Sequence, residues 1–265
     1  RIDYGILDQH ADSYRKIRNT FRYLLGNIND EFESIDLGKL NIKKLPELEQ
    51  FILNKIYLID LSFKKNFKNY DFHNLYKELL NFCTTDLSAF YFDIRKDCLY
   101  CDPRDSKKRQ EVIMILKIIL NALLKWFAPI LSFTTEEIYR LICNKNKSIH
   151  LESFIDYPST FQNDNLNSKW TELLKIRDLC NYSIEEKRIK KIVGSSLEAS
   201  IKISLNKKLY QIYKDIDFAE LCITSTAEVI EHEEDDILIE TIKAEGEKCP
   251  VCWKINTNPC LRHGK

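Results

Sequence analysis

Three cysteines and a histidine near the end of the chain have the spacing of a metal-binding knuckle. Cys249 and Cys252 form one C-x2-C pair, and Cys260 and His263 form a second pair with the same internal spacing. Two such pairs offer four ligands to a tetrahedral zinc ion and leave no coordination position open. The pattern therefore predicts a structural zinc site, whose binding energy would fold a tail too short for a core of its own. The alternative is three free thiols and a surface histidine.

A second C-x2-C pair, Cys98 and Cys101, has no further pair near it and is predicted to lie in a loop between two helices. Ordinary thiols are the favoured interpretation, because a redox pair would need a βαβ context that this region lacks. The chain has nine cysteines in all, without a secretory pattern. This distribution favours reduced thiols in the cytoplasm over a disulfide framework.

The remaining motifs give no support for catalysis. The five histidines are scattered along the chain, and no Ser, Cys or carboxylate pattern marks a nucleophile. The six glycines do not form a phosphate-binding loop. We therefore predict no catalytic residue in this chain.

Arginines along the first predicted helix have the arrangement of a phosphate-binding surface. Arg15, Arg18 and Arg22 form one stripe, with Asn19 on its outer edge. A rigid helix would hold three guanidiniums where they can meet phosphate, although the same pattern is typical of a solvated helix flank. The net charge is zero, with 40 basic and 40 acidic residues, so a nucleic acid would have to be bound by such local patches.

The knuckle carries basic and aromatic residues of its own. Trp253, Lys254 and Arg262 flank the cysteines, and Trp253 could stack on a base while the cations meet phosphates. The alternative is a Trp that packs over the metal site. A further basic cluster surrounds Arg188. Together, the basic, aromatic and metal-binding features indicate an RNA partner.

Long amphipathic helices are predicted for the first part of the chain. The first helix has an apolar residue at every third or fourth position: Leu7, Ala11, Tyr14, Ile17, Phe21, Leu25 and Ile28. A helix opened by Asp71 is predicted to continue through Phe90, and a capping box formed by Thr134 and Glu137 predicts the start of another. Such helices with short links between them predict an antiparallel bundle.

The second part of the chain has the pattern of a small α+β unit. Ser148–Glu152 is predicted to be extended, and Trp170–Lys191 is predicted to be a helix. Apolar residues then alternate over residues 197–205, and Ala219–Thr226 and Ile237–Ile242 are predicted to be strands.

We therefore predict a mainly α fold in three parts. Residues 1–145 would form an antiparallel helix bundle, residues 146–243 a linker, a long helix and a small α+β junction domain, and residues 244–265 a zinc-binding tail. No apolar run approaches the ~20 residues that a membrane span needs, so we expect no membrane partner. The chain opens with Arg1 rather than Met, from which we expect a piece of a longer protein.

Five stretches of the sequence resemble the C-terminal part of the bacterial-type isoleucyl-tRNA synthetases, which are class I enzymes. They are SYRKIRNTFRYLLGNIND at 13–30, AFYFDIRKDCLYCD at 89–102, LKWFAPILSFTTEEIY at 124–139, GSSLEA at 194–199 and KCPVCWK at 248–254. The first three are shared with the valyl and leucyl relatives. The cysteine knuckle followed by Trp253 favours the isoleucyl enzymes over them.

The resemblance implies that the bundle is an anticodon-binding domain and that the zinc tail helps to hold the anticodon stem-loop of tRNA(Ile). It implies that the whole protein is an isoleucine–tRNA ligase, with ATP and Mg bound only in an upstream catalytic domain, which is a second expected partner. The signatures of that catalytic domain are absent from this sequence. We therefore expect this region to bind tRNA but not to aminoacylate it.

The resemblance also divides the candidate tRNA-binding residues into two groups. On the anticodon side we expect Arg177 and Arg188 of the long helix, and Trp253, Lys254 and Arg262 near the knuckle. The group on the first helix is expected either to contact tRNA or to brace the catalytic domain. It consists of Arg15, Arg18, Asn19 and Arg22.

Two positions depart from the pattern of these enzymes. Cys98 stands where they usually have Arg, and the last metal pair is Cys260 and His263 where two cysteines are common. Two other interpretations stay open: the same region of a valyl- or leucyl-tRNA synthetase, and a non-enzymatic helical scaffold whose zinc knuckle only staples the tail. Phosphate contacts would give a steep salt dependence of binding that a scaffold lacks.

Overall fold

The computed structural model describes residues 3–28, 35–143 and 147–264. These residues divide into two compact units, the first ending at Asp164 and the second beginning at Asn165. The mainly α fold class predicted from the sequence is confirmed, whereas the three-part division of the chain stays a prediction. Among the described residues, no helix is long and apolar enough to cross a membrane.

Helical segments build the first unit, and short links join all of them except the first two. They are α1 (Tyr4–Asn27), α2 (Glu47–Lys68), α3 (Phe72–Asn81), a π-helical segment (Phe82–Tyr91), α4 (Phe92–Cys101), α5 (Lys107–Phe127) and α6 (Ser132–Ile142). Aromatic side chains fill the core between them. The ring of Trp126 lies 6.2 Å from those of Phe63 and Phe82, measured between centroids.

Only the later half of the apolar stripe on α1 is buried within the first unit. Ile17 and Phe21 lie in the core as predicted, and Leu24 rather than Leu25 continues the buried face. The prediction was wrong for the early turns, where apolar side chains are exposed. They include Leu7 and Ala11. Periodicity identifies the face of a helix, but not the length over which a neighbouring element covers it.

A buried ion pair joins α2 to α4. Arg95 donates from Nε and from a terminal guanidinium nitrogen to the two carboxylate oxygens of Glu49, at 2.6 and 2.7 Å. The Tyr91 hydroxyl donates to the same carboxylate at 3.1 Å. A bidentate, charge-assisted pair satisfies both ions away from water. Removing one partner would leave an uncompensated charge in the core.

Two predictions about the middle of the first unit were wrong. The helix opened by Asp71 does not continue as one α-helix to Phe90, because its winding changes to a π-helix at Phe82. Cys98 and Cys101 lie in α4 rather than in a loop. Burial raises the pKa of the Cys98 thiol to about 12, which keeps it protonated and supports its interpretation as an ordinary thiol.

The predicted capping box at the start of α6 does not form. The helix begins at Ser132, so Thr134 and Glu137 both lie inside it. The Thr134 hydroxyl instead lies 3.0 Å from the hydroxyl of Tyr14 on α1. This contact brings the first turns of α6 beside α1.

The segment predicted to be extended at Ser148–Glu152 is a 3₁₀ turn over Ile149–Leu151. The Glu136 carboxylate accepts hydrogen bonds from the Ser148 hydroxyl at 2.9 Å and from the Ile149 N–H at 3.0 Å. A side chain on α6 thus stabilises the turn. Local propensity alone does not reveal such a contact.

The second unit combines a long helix with a small sheet. Its elements are α7 (Asp164–Ile189), β1 (Ala199–Asn206), α8 (Lys207–Tyr213), α9 (Phe218–Leu221), β2 (Thr226–His232), β3 (Leu238–Lys243), β4 (Glu247–Lys248) and β5 (Ile255–Asn256). β1 is the central strand of the order β2-β1-β3, parallel to β2 and antiparallel to β3. The predicted strand at Ile237–Ile242 is thereby confirmed as β3, with its bounds one residue further on.

One face of this sheet is buried and the other is open. Ile201 and Ile203 of β1 are buried, as their alternation predicted. Thr241 lies opposite Ile201 in the pairing register, and its hydroxyl is 2.7 Å from that of Ser183 on α7. α7 therefore packs on the buried face, and Ser200 points to the open one.

The prediction of a strand at Ala219–Thr226 was wrong. Asp217 accepts a hydrogen bond from the Glu220 N–H at 2.9 Å and caps the short helix α9. The strand β2 begins only at Thr226. An N-cap carboxylate outweighs the strand propensity of the apolar residues that follow it.

We predict that Arg95→Met lowers the free energy of unfolding of the first unit by ~3–5 kcal/mol, because it leaves Glu49 buried without a counter-ion. Urea titration followed by circular dichroism would measure the change. Arg140→Met is the matched control, since its pair with Glu136 is exposed and should be worth less than ~1 kcal/mol. Equal effects of the two substitutions would contradict the prediction.

Candidate metal centre and nucleic-acid interface

A short hairpin presents the first pair of cysteines. Lys248 of β4 pairs with Ile255 of β5, and the Cys249 N–H donates to the Lys254 carbonyl at 2.9 Å. The Trp253 N–H donates back to the Cys249 carbonyl at 3.0 Å, and Trp253 has a positive φ of 64°. These bonds close a tight loop that holds the cysteine side chains on one side.

The second pair of predicted ligands lies against the first. Their potential ligand atoms are all within 4.8 Å of one another. The sulfur atoms of Cys252 and Cys260 are 3.9 Å apart, and His263 Nδ1 lies 3.5 Å from Cys249 Sγ and 3.4 Å from Cys260 Sγ. The structure thus brings together all four residues that the sequence pattern identified.

These distances fit a tetrahedral metal site. With metal–sulfur bonds of about 2.3 Å and metal–nitrogen bonds of about 2.0 Å, neighbouring sulfurs would be ~3.8 Å apart and a sulfur and a nitrogen ~3.5 Å apart. The three cysteines are also buried, which protects the donor atoms from competing water. The cluster can therefore hold a metal ion that prefers thiolate and imidazole ligands.

The knuckle backbone favours the thiolate form at two of the three cysteines. A backbone hydrogen bond at Cys252 lowers the pKa of the Cys249 thiol to about 6. Burial alone would raise the pKa of Cys260, but backbone hydrogen bonds at Arg262 and His263 bring it below the usual value. Burial raises the pKa of Cys252 to about 11, so this thiol would release its proton only when a metal binds.

A cleft of about 600 Å³ separates the open end of the sheet from the knuckle. On the sheet side are the hydroxyls of Ser200 and Thr226, which are opposite each other in the register and 2.6 Å apart. Three cations line it as well: Lys243, Lys254 and Arg262. Hydroxyls and cations in one concave site are suited to a nucleotide, which offers both a phosphate and hydrogen-bonding edges.

Trp253 is an exposed residue of the knuckle loop that lies between the cleft-lining residues Cys252 and Lys254 in sequence but does not itself line the cleft. Its residue exposure is 58%, and Lys248 Nζ lies 5.2 Å from its ring centroid. The ring is therefore available for stacking, with a cation already next to its face. Of the three residues predicted near the knuckle, Lys254 and Arg262 line the cleft and Trp253 is exposed nearby.

The predicted arginines of α7 have different surroundings. Arg177 is half-buried, and its Nε donates to the Leu221 carbonyl at 2.9 Å, so the residue contributes to the fold of the second unit. Arg188 is exposed and donates two hydrogen bonds to Glu185, at 2.7 and 2.8 Å. An RNA phosphate would have to compete with that carboxylate.

The predicted stripe on α1 is exposed along its length: Arg15, Arg18, Asn19 and Arg22. Arg15 lies 3.4 Å from the carboxylate of Asp12, an exposed pair that contributes little to stability. The stripe belongs to the first unit and the knuckle to the second, and each is a candidate surface of its own unit.

Sequence reasoning missed the sheet side of the cleft. Ser200, Thr226 and Lys243 come from three strands and meet only because the strands pair in one particular register. Only the alternation along β1 indicated which side of the strand Ser200 would occupy. The pairing that brings the three residues together has no local sequence signal.

Comparison with known proteins relates this chain to the tRNA ligases. A family model described as the anticodon-binding domain of tRNA ligase matches residues 49–203, from the start of α2 into β1. The match covers more than half of the chain, and the chain belongs to this family.

Several relatives that match over almost all of the chain share the name isoleucine–tRNA ligase. The chain is 65% identical to an isoleucine–tRNA ligase of Pelagibacter ubique, over 99% of this chain and 29% of the relative. It is 35% identical to that of Agrobacterium fabrum and 36% identical to that of Caldicellulosiruptor saccharolyticus, each over 97% of this chain. The chain spans less than a third of the length of these relatives.

The four-ligand cluster predicts about one tightly held metal ion per chain. Cys249→Ser and Cys260→Ser should each reduce the metal content of chelator-free protein strongly, because each removes a thiolate from a closed four-ligand site. Cys143→Ser is the control, since Cys143 lies in the other unit. Elemental analysis measures the outcome, and equal metal content in all three variants would contradict the prediction.

Proposed function

We propose that this chain is the tRNA-binding, anticodon-recognising C-terminal region of an isoleucine–tRNA ligase. The observation that carries the proposal is the match to the anticodon-binding family, joined to relatives named isoleucine–tRNA ligase over nearly the whole chain. The parent protein would attach isoleucine to tRNA(Ile) in the cytoplasm, with ATP and Mg bound in an upstream catalytic domain. This region would position the tRNA and take no part in the chemical step.

The ion of the knuckle is proposed to be zinc, held by Cys249, Cys252, Cys260 and His263. A donor set of three thiolates and one imidazole supports this choice, as do the separations of 3.4, 3.5 and 3.9 Å between three pairs of donor atoms. When bound, zinc supplies folding energy to a segment with little apolar core. The ion would have a structural role, because four protein ligands leave no position for a substrate.

The residues around the cleft are proposed to bind the anticodon loop. Lys243, Lys254 and Arg262 would contact phosphates and fix the register of the RNA. The Ser200 and Thr226 hydroxyls would donate to or accept from base edges and 2′-hydroxyls, and Trp253 would stack on an unpaired base. Arg177 and Arg188 are proposed to assist from α7.

The early turns of α1 are proposed to contact the catalytic domain of the same chain. Exposed apolar side chains concentrate there, since Tyr4 is 87% exposed and Leu7 54%. Phe133, next to the Thr134 that pairs with Tyr14 on α1, is 94% exposed. A patch of this kind normally marks an interface.

The arginine stripe runs beside this patch. We therefore propose that Arg18 and Arg22, with Arg15 and Asn19, brace the catalytic domain rather than bind the anticodon. A guanidinium at such a boundary can pair with a carboxylate or a carbonyl of the neighbouring domain.

Trp253→Ala should weaken tRNA binding by about 5–150-fold, because stacking on an aromatic side chain is worth ~1–3 kcal/mol per base. Filter binding with tRNA(Ile) would measure the change in the full-length ligase. Tyr70→Ala is the matched control, since Tyr70 is an exposed aromatic residue that also has a positive φ, of 56°. Unchanged affinity in Trp253→Ala would argue against the stacking role.

Arg18→Ala combined with Arg22→Ala should reduce aminoacylation by about 10–100-fold while leaving tRNA affinity unchanged, because a misplaced domain misaligns the acceptor end. Lys16→Ala on the same helix is the control. A parallel loss of tRNA affinity would instead assign the stripe to a phosphate contact.

A further inference from the structure

A buried hydroxyl joins the metal knuckle to the sheet of the second unit. Ser225, directly before β2, is 7% exposed. Its Oγ accepts a hydrogen bond from the Ile255 N–H at 2.6 Å and donates one to the Leu197 carbonyl at 2.5 Å. The Ser225 N–H donates to the Ala199 carbonyl at 3.0 Å. Both the backbone and the side chain of Ser225 are thus fixed at the start of β1.

Ile255 is the residue at which the knuckle closes. It opens β5 opposite Lys248 of β4, and Lys248 directly precedes the ligand Cys249. The hydrogen bond from the Cys249 N–H ends on Lys254, one residue before Ile255. The Ser225 hydroxyl therefore holds the stem from which Cys249 and Cys252 project.

The segment that leads from β3 into the stem, which is the β4–β5 hairpin, is also held by close contacts. The Ala244 N–H donates to the Glu198 carbonyl at 2.8 Å, which holds the exit of β3 beside the start of β1. Gly246 has a φ of 117°, and a Cβ there would lie 2.1 Å from the Asn256 carbonyl oxygen. The incoming chain is therefore packed directly against β5, with no room for a side chain between them.

The same stem forms part of the cleft. Ser225 and Thr226 line it from the sheet, and Lys254 and Ile255 line it from the knuckle. The Ser225–Ile255 hydrogen bond thus fixes the distance between two walls of the cleft.

We propose that Ser225 is a positioning residue that couples metal binding in the knuckle to the shape of the cleft. The inference rests on the proposed zinc site and on the proposed binding of tRNA. Metal binding orders the stem, the stem engages Ser225, and the residues on both walls of the cleft are held in place. Because coupling between two binding events is reciprocal, RNA bound in the cleft raises the affinity of the knuckle for the metal.

The test compares Ser225→Ala, Ser225→Thr and Ser204→Ala in the zinc-loaded, full-length ligase. Zinc affinity is measured by competition with a chelator, and tRNA(Ile) affinity is measured with and without zinc. Ser225→Ala leaves the Ile255 N–H without its acceptor, and we expect zinc affinity to fall about tenfold. Ser225→Thr keeps a hydroxyl and should restore the zinc affinity. Ser204→Ala, on the open face of β1, should have no effect.

The tRNA measurements test the coupling itself. In the wild-type ligase, removal of zinc should weaken tRNA binding, and in Ser225→Ala the same removal should have a smaller effect because the link is already broken. An equal effect of zinc removal in both proteins would overturn the coupling.

Other outcomes are equally decisive. Zinc affinity in Ser225→Ala within about twofold of wild type overturns the proposal, as does an equal loss in Ser204→Ala. Unfolding of zinc-loaded Ser225→Ala, seen by circular dichroism, assigns the hydroxyl a role in the sheet alone and also overturns it. A wild-type ligase that holds no zinc would instead defeat the proposed metal site.

Discussion

The crowding of three thiols and an imidazole is the constraint on which the tail of the second unit depends. Their ligand atoms lie within 4.8 Å of one another, and the three cysteines are buried. Several thiolates so close together repel one another unless a cation lies between them. A backbone hydrogen bond at Cys252 lowers the pKa of Cys249 to about 6, whereas burial raises the pKa of Cys252 to about 11. A bound metal ion would remove the repulsion by replacing the protons.

The knuckle in turn gives the sheet a binding site. The three-stranded sheet buries one face against α7 and leaves the end with Ser200 and Thr226 open. The knuckle lies over that end and encloses a cleft lined by Lys254 and Arg262. Neither element would form a concave surface alone. The short tail therefore contributes both cations and shape to the proposed RNA site.

How much of this could be predicted differs between local and non-local features. The cluster at the knuckle could be predicted because its three cysteines and its histidine follow a short, fixed spacing. The bundle could be predicted because amphipathic periodicity is local. The spacing was not sufficient by itself, since Cys98 and Cys101 have the same C-x2-C pattern within an α-helix. Context separated the two cases, because only the terminal pair has a second pair close by.

The features that were missed depend on contacts distant in sequence. Ser225 meets Ile255 across 30 positions, and no periodicity marks either residue. Glu49 and Arg95 pair across 46 positions and belong to different helices. Charged residues in a helical pattern are normally assigned to the surface. The length of α1 that is buried could not be predicted either, because periodicity does not indicate where a neighbouring element ends.

The central claim is that this chain recognises the anticodon of a tRNA. It is tested most directly by measuring the affinity of the full-length ligase for tRNAs that differ only in the anticodon, at two salt concentrations. The account predicts tighter binding of the isoleucine anticodon and an affinity that falls steeply as salt increases, because phosphate contacts release counterions. Equal and salt-insensitive binding of all the tRNAs would contradict it.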